Sequence, residues 1–164
     1  MTSLFLSDVE ATAALGARLA ATRPARAVVH LHGDLGAGKS TLARALLRAL
    51  GVTGTIRSPT YTLIERYGLP DGEAAHLDLY RLGDAGELDF LGLDELQDAA
   101  TLWLVEWPER GGAALPAPDL EVHLAVAGGG RRAQLEPRSG VGRGWIDRLA
   151  SADGGLPAGL FLPT

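Results

Sequence analysis

Residues 33–41 read GDLGAGKST, and their types and spacing fit one chemistry. Gly33, four further residues, Gly38, Lys39 and Ser40 match the pattern G-x-x-x-x-G-K-[ST]. In that pattern glycines let backbone N–H groups turn inward around phosphate oxygens, and the helix that follows presents its positive end to the same anion. Lys39 is the only lysine of the chain, and every other basic position is arginine. An ammonium is a compact point charge on a flexible stem that reaches between phosphates, whereas guanidinium is a wide planar fork. The expectation is that Gly33, Asp34, Leu35, Gly36, Ala37, Gly38, Lys39, Ser40 and Thr41 wrap the phosphates of a nucleotide. Ser40 offers a hydroxyl to Mg²⁺, which takes oxygen ligands, keeps several waters and needs one or two protein oxygens besides phosphate.

Two acids qualify as the further metal or water ligand. Asp78, in HLDLYRL, has leucine on both sides, where a carboxylate is costly unless paired or beside a metal. A magnesium role is favoured for it over a salt bridge to Arg81 or a neighbour. Glu106 ends the apolar run TLWLV, where an acid can orient or deprotonate the attacking water, a role worth about 10²–10⁴-fold in rate; the competing role is a cap on the following loop. SPTYTL sets Ser58, Thr60 and Thr62 around Pro59. A threonine facing the phosphate loop can sense the terminal phosphate, as switch segments do, and an ordinary strand with exposed hydroxyls fits the spacing as well. Trp107 can stack near the nucleotide or a partner, and Trp103 reads as core. His30, His32, His76 and His123 lack metal-ligand spacing on a helix and read as strand packing.

The elements that must position these groups alternate in type. SDVEATAALGARLAA opens with Ser7 and Glu10 in a reciprocal capping arrangement and predicts a helix. RAVVHLHG predicts a strand buried on both faces, and STLARALLRALG a helix with Leu42, Leu46 and Leu50 on one side and a stop at Gly51. TYTLIERY and AAHLDLYRL predict a hairpin turning through GLPDGE. DAGELDFLGLDELQDAA reads as acidic and loosely helical, and TLWLVEWP as a strand ended by Pro108. DLEVHLAVA and RRAQLEPR, joined by GGG, predict an antiparallel hairpin near an edge, with WIDRLA a last short helix. The expected fold is α/β, a mixed, mostly parallel sheet flanked by helices with an antiparallel hairpin at one edge. Residues 1–150 are expected to form one domain and 151–164 a tail, whose Leu160, Phe161 and Leu162 either pack on the domain or dock on a partner.

A chain of 164 residues suffices for one self-sufficient core. The net charge of −5 and the scattered arginines argue against a direct nucleic-acid or anionic-lipid surface. Without cysteine there is no disulfide framework and no thiolate metal site. MTSLFLSDVE lacks a basic n-region, so it reads as mature protein rather than a signal peptide, and the expected location is the cytoplasm. The absence of asparagine removes any guanine-reading Asn-Lys-x-Asp segment and favours ATP over GTP.

Taken together, GDLGAGKST, SPTYTL, HLDLYRL and LVEWPER, in that order and spacing, closely resemble the bacterial TsaE family, the ATPase component of tRNA threonylcarbamoyladenosine biosynthesis. The resemblance runs from about residue 7 to 135. It implies a P-loop ATPase fold, ATP and Mg²⁺ as ligands, and two protein partners: a threonylcarbamoyl transferase subunit (TsaD-type) and its non-catalytic paralogue (TsaB-type). The tRNA would be held mainly by those partners. By the same resemblance Lys39 holds the phosphates, Ser40 the magnesium with Thr41 beside it, and Thr60 belongs to the first switch. Asp78 assists magnesium, Glu106 activates water and Trp107 adjoins the site. The family commonly has threonine at the position of Ser40, and either hydroxyl can ligate magnesium. Two other readings are a small-molecule kinase, against which the acidic LGDAGELDFLGLDEL speaks where an arginine-rich lid is needed, and a nucleotide-gated binding module that does not hydrolyse.

Overall fold

The apolar run Ala27–His32 becomes the central strand of a seven-stranded sheet in the computed structural model, which describes residues 1–151. In chain order the elements are β1 (Thr2–Leu6), α1 (Val9–Thr22), β2 (Ala27–His32), α2 (Lys39–Ala49), β3 (Ile64–Leu69), β4 (Gly72–Asp78), α3 (Leu93–Ala99), β5 (Ala100–Glu106), β6 (Leu120–Ala127), β7 (Gly130–Pro137) and α4 (Gly140–Ser151). The sheet order is β1-β7-β6-β2-β5-β4-β3. Strands β6, β2, β5 and β4 pair in parallel, while β7 and β3 run against their neighbours. The sheet is therefore mixed and mostly parallel in strand direction, as the sequence predicts.

Burial on both faces explains the parallel part. Val29 and Leu31 of β2, Leu102 and Leu104 of β5, and Leu120, Val122 and Leu124 of β6 join Leu15, Leu19, Leu42, Leu46, Leu47 and Trp145 in one core beneath α1, α2 and α4. The alternate residues of β4 and β5, with Leu77, Trp103 and Val105, form a second core on the opposite face. The acidic segment 85–99 covers that core through Leu88, Leu93 and Leu96, as a 3₁₀ turn over Ala85–Leu91 followed by α3. Each such leucine contributes on the order of 1.5–3 kcal/mol when fully buried. The second core reaches β2 only at Val28, so beyond it the same face of β2, β6 and β7 carries polar groups.

The structure corrects several expectations at element ends. The helix cap is Asp8, whose Oδ1 accepts from Ala11 N at 2.8 Å, and not Ser7. The reason is an edge strand absent from the sequence reading: β1 pairs with β7 as far as Leu6, so the chain turns into the helix only after Ser7. The β6–β7 hairpin consequently lies one strand in from the edge, and β3–β4 forms the opposite one. Residues 59–62 turn instead of extending, and the strand begins at Ile64. Val126 is exposed, so the alternation of β6 ends at Leu124. WIDRLA is the end of a longer helix that includes Ser151; the rest of the tail, with Leu160, Phe161 and Leu162, lies outside the described residues. No helix of the described residues is long and apolar enough to cross a membrane.

Candidate functional site

Strand β2 runs into the glycine loop, and α2 begins at Lys39 directly after it. Gly33 is demanded by close approach, since a Cβ there would meet the Leu124 carbonyl oxygen at 2.5 Å. Gly36 and Gly38 have φ of 80° and 108°, and a Cβ on either would meet nothing within 4 Å. Their role is conformational: they hold left-handed backbone that L side chains rarely adopt, and leave the concave side of the loop open. Lys39 folds back over this loop. Its Nζ donates to the Gly33 carbonyl and, at 2.9 Å, to that of Asp34, and lies 4.5 Å from the centre of the Trp107 ring. Burial pushes the Lys39 ammonium below its ordinary pKa, opposed by the charges of Glu106, Asp78 and Asp34.

The acids arrive from the neighbouring strands. Parallel pairing sets Asp78, the last residue of β4, beside Glu106, the last of β5, and Glu106 in turn beside Leu31 of β2. Both carboxylates are buried, Glu106 at 2% and Asp78 at 6% exposure. Glu106 accepts from Ser40 Oγ, 3.0 Å from each of its oxygens, and its Oε2 lies 2.7 Å from His76 Nε2. A carboxylate only accepts, so that proton sits on Nε2, and His76 Nδ1 is buried without a partner. Asp78 Oδ1 accepts from Tyr80 N at 3.0 Å. Its carboxyl is pushed up by burial and by the charge of Glu106, against the pull of Tyr80 N–H, His76 and Lys39. Arg81, weighed above as its ion-pair partner, instead lies over the Tyr61 ring at 4.6 Å.

A cavity of about 430 Å³ opens where these groups converge. Leu35, Gly36, Gly38, Lys39, Ser40, Thr41, Thr60, Asp78, Glu106 and Trp107 line it. Gly33, Asp34 and Ala37 do not; they shape the loop behind, with Ala37 in the core and its N–H bonded to the Asp34 carbonyl. Within the hydroxyl row Thr60 faces the cavity, Ser58 bonds Thr60 at 2.8 Å, and Thr62 turns away to Glu65. Trp103 is core, as expected. Segment 85–99 contributes nothing to the cavity wall.

A sequence model of the family described as "Threonylcarbamoyl adenosine biosynthesis protein TsaE" matches residues 6–133. This chain belongs to the TsaE family. The proteins it resembles carry the name tRNA threonylcarbamoyladenosine biosynthesis protein TsaE. That of Haemophilus influenzae is 38% identical over 124 residues, covering 76% of this chain and 78% of the relative. That of a Nostoc species is 39% identical over 142 residues, 84% and 86% of the two chains, and that of Bacillus subtilis 37% identical over 123 residues, 75% and 77%. The crystal structure of Bacillus subtilis YdiB superposes with a TM-score of 0.76 at 27% identity, covering 93% of this chain and 98% of that one.

Around the cavity of this TsaE-family chain stand residues that motif reading passes over. Arg131, at the start of β7, donates from Nη2 to the Gly36 carbonyl at 3.2 Å, tying the hairpin to the loop. Asp8, the cap of α1, and Val9 and Thr12 within it also line the wall. Tyr80 packs against Trp107 with ring centres 5.0 Å apart. Trp107 itself has φ of 56°, a strained setting for a bulky residue, and it turns the chain at the end of β5 so that its ring lies beside the lysine. His76 is the largest omission: a strand histidine between alanine and leucine carries no sequence signal for a partner 30 residues away, and only the β4–β5 register reveals it.

Proposed function

We propose that the chain binds MgATP in this cavity and hydrolyses it, in support of threonylcarbamoyl transfer to a tRNA adenosine by a partner complex. That complex comprises a transferase subunit (TsaD-type) and its non-catalytic paralogue (TsaB-type), with tRNA reached only through them. The observation that carries the reading is the convergence of Lys39, Ser40, Asp78 and Glu106 on one cavity behind an open glycine loop.

The donor set suits magnesium. Ser40 Oγ and the carboxylates of Asp78 and Glu106 are all oxygen, which a hard cation prefers. Asp78 is a buried carboxylate whose nearest hydrogen-bond donor is a neutral amide, so a cation beside it relieves its desolvation cost. Ser40 and Asp78 would hold the ion, which when bound neutralises charge gathering on the terminal phosphates.

The chain's own residues then act as follows. The amides of residues 36 to 41 and the start of α2 receive phosphate oxygens. Lys39 exchanges its loop carbonyls for phosphate, keeping its charge where the terminal phosphoryl group carries the most. Ser40 would free one oxygen of Glu106 if its hydroxyl turned from the carboxylate to hold the ion, and that oxygen accepts a hydrogen from water. His76 keeps the other oxygen in place, so the carboxylate need not reorganise as the water attacks. Thr60 stands where it senses the terminal phosphate, and Trp107 closes the lysine side.

The test is ADP release from MgATP by the purified chain with no phosphate acceptor, alone and with the transferase pair. Slow release that the pair changes is expected. Nucleotide that binds but yields no ADP in either condition overturns hydrolysis and leaves a nucleotide-gated module; phosphate appearing on a small-molecule acceptor leaves a kinase.

A further inference from the structure

The polar half of the sheet face beside the second core carries a second cluster, built by strand pairing alone. His30 and His32 alternate onto this face of β2, and Glu121 and His123 stand opposite them on the parallel neighbour β6. His32 Nε2 lies 3.2 Å from Glu121 Oε1, and its ring stacks on His123 with centres 4.5 Å apart. The ligand-capable atoms of His30, His32 and Glu121 all lie within 4.8 Å of one another. His30 is 8% exposed, and its Nε2 is buried with no hydrogen-bond partner.

We infer that His30, His32 and Glu121 form a binding site for a divalent ion of the zinc class, separate from the nucleotide cavity. Two imidazoles and one carboxylate are a frequent zinc set, leaving a fourth position for water or another ligand. Ligand atoms on a tetrahedral zinc with bonds of about 2.0–2.1 Å stand about 3.3 Å apart, which the His32–Glu121 pair already matches.

The outer partners suit the same role. The Pro116 carbonyl lies beside the His30 ring and favours its protonated form, while Nε2 is buried without a hydrogen-bond partner among the described residues. Burial and the neighbouring His32 lower the pKa of His30, against the pull of Glu121 and Glu109, and the neutral form is the one that ligates. His32 Nδ1 faces Glu109 Oε2 from 4.0 Å, outside hydrogen-bond distance, so Glu109 must close in to hold that nitrogen. Arg138 holds Glu121 Oε2 at 2.7 Å and leaves Oε1 for the ion. Ligating histidines characteristically give their second nitrogen to a carbonyl or carboxylate, the groups that Pro116 and Glu109 bring near these two rings. The adjacent trio Glu121, His123 and Glu136 is poorer, because Arg138 pairs with both of its carboxylates and it offers one histidine.

The experiment is a titration of ZnCl₂ into the full chain, free of nucleotide and magnesium, read by calorimetry and by long-range ¹H–¹⁵N spectra of the imidazoles. The expected result is about one ion per chain, with the nitrogens of His30 and His32 shifted and those of His76 unmoved. His32→Ala and His30→Gln should each weaken binding at least about tenfold, while Asp78→Asn leaves it unchanged. If His30→Gln does not fold, the half-exposed His32→Ala and the wild-type spectra decide. Absent binding, unmoved His30 and His32 signals, or zinc lost in Asp78→Asn but retained in His32→Ala overturns the site.

Discussion

Strand β2 serves two polar clusters that differ in how they are satisfied. At its C-terminal end Glu106 is buried, with both oxygens engaged by Ser40 and His76. On its open face His32 and Glu121 pair beside solvent, with side-chain exposures of 26% and 13%. Buried polar groups must find partners within the protein, so each member of the first cluster depends on the others. His32 and Glu121 can exchange partners with water, while the buried His30 cannot. A change at the strand ends is therefore expected to disturb function severely, and one on the open face to leave the proposed hydrolysis intact.

The largest effect is expected for Lys39→Ala. Of the two cations that line the cavity among the described residues, Lys39 stands in the phosphate loop itself and Arg131 is tied to the Gly36 carbonyl, so ADP release should fall to background at every MgATP concentration. A variant that hydrolyses at the parent rate would remove Lys39 from the mechanism and erase the functional contrast between the clusters. Next comes Glu106→Gln, which keeps shape but cannot take a proton. Turnover should drop by about 10²–10⁴-fold while nucleotide affinity, measured by calorimetry, stays near the parent value. Unchanged turnover would move the base elsewhere.

The first cluster was legible and the second was not, for physical reasons. A glycine loop between a strand and a helix is local: Gly33, Gly38, Lys39 and Ser40 are neighbours in the chain, and their spacing alone specifies the loop. Asp78 and Glu106 were legible because acids at the ends of apolar strands contradict their surroundings. His76, His30 and His32 contradict nothing, since imidazole is common in strands, and their partners come from register. For His76 that register is β4 against β5, and for His30 and His32 it is β6 against β2 across a long connection, which no local pattern encodes. The short edge strand β1 escaped for a similar reason: five residues with mixed burial give too little alternation to read.

His76 sharpens the comparison because it is wholly buried yet touches the reaction only through Glu106. As a positioning residue, it should affect kcat more than KM. His76→Ala should lower kcat by roughly tenfold to a hundredfold with little change in KM, and His76→Gln, whose amide can donate to the carboxylate, should restore part of the loss. Equal losses in both variants, matched by a falling melting temperature, would make the histidine structural only.

The smallest effect, and the one that turns on sign, concerns Asp78. Its carboxyl titrates higher in the folded chain than in the unfolded one, chiefly through burial and then through Glu106. The native state therefore holds the proton over a range in which the unfolded state has lost it. Stability on this account is greatest below the unfolded value and declines as pH rises through the folded one. Asp78→Asn has no proton to lose, so it should be more stable than the parent at neutral pH, and the advantage should vanish in acid. Denaturant melts at pH 4 and pH 8 measure the difference directly. MgATP should then reverse the ranking, because the ion that offsets the buried charge has no carboxylate to meet in the variant. A variant less stable than the parent at neutral pH would mean that Asp78 is already compensated by the fold, and that the strand-end cluster is no more dependent on a cation than the open face.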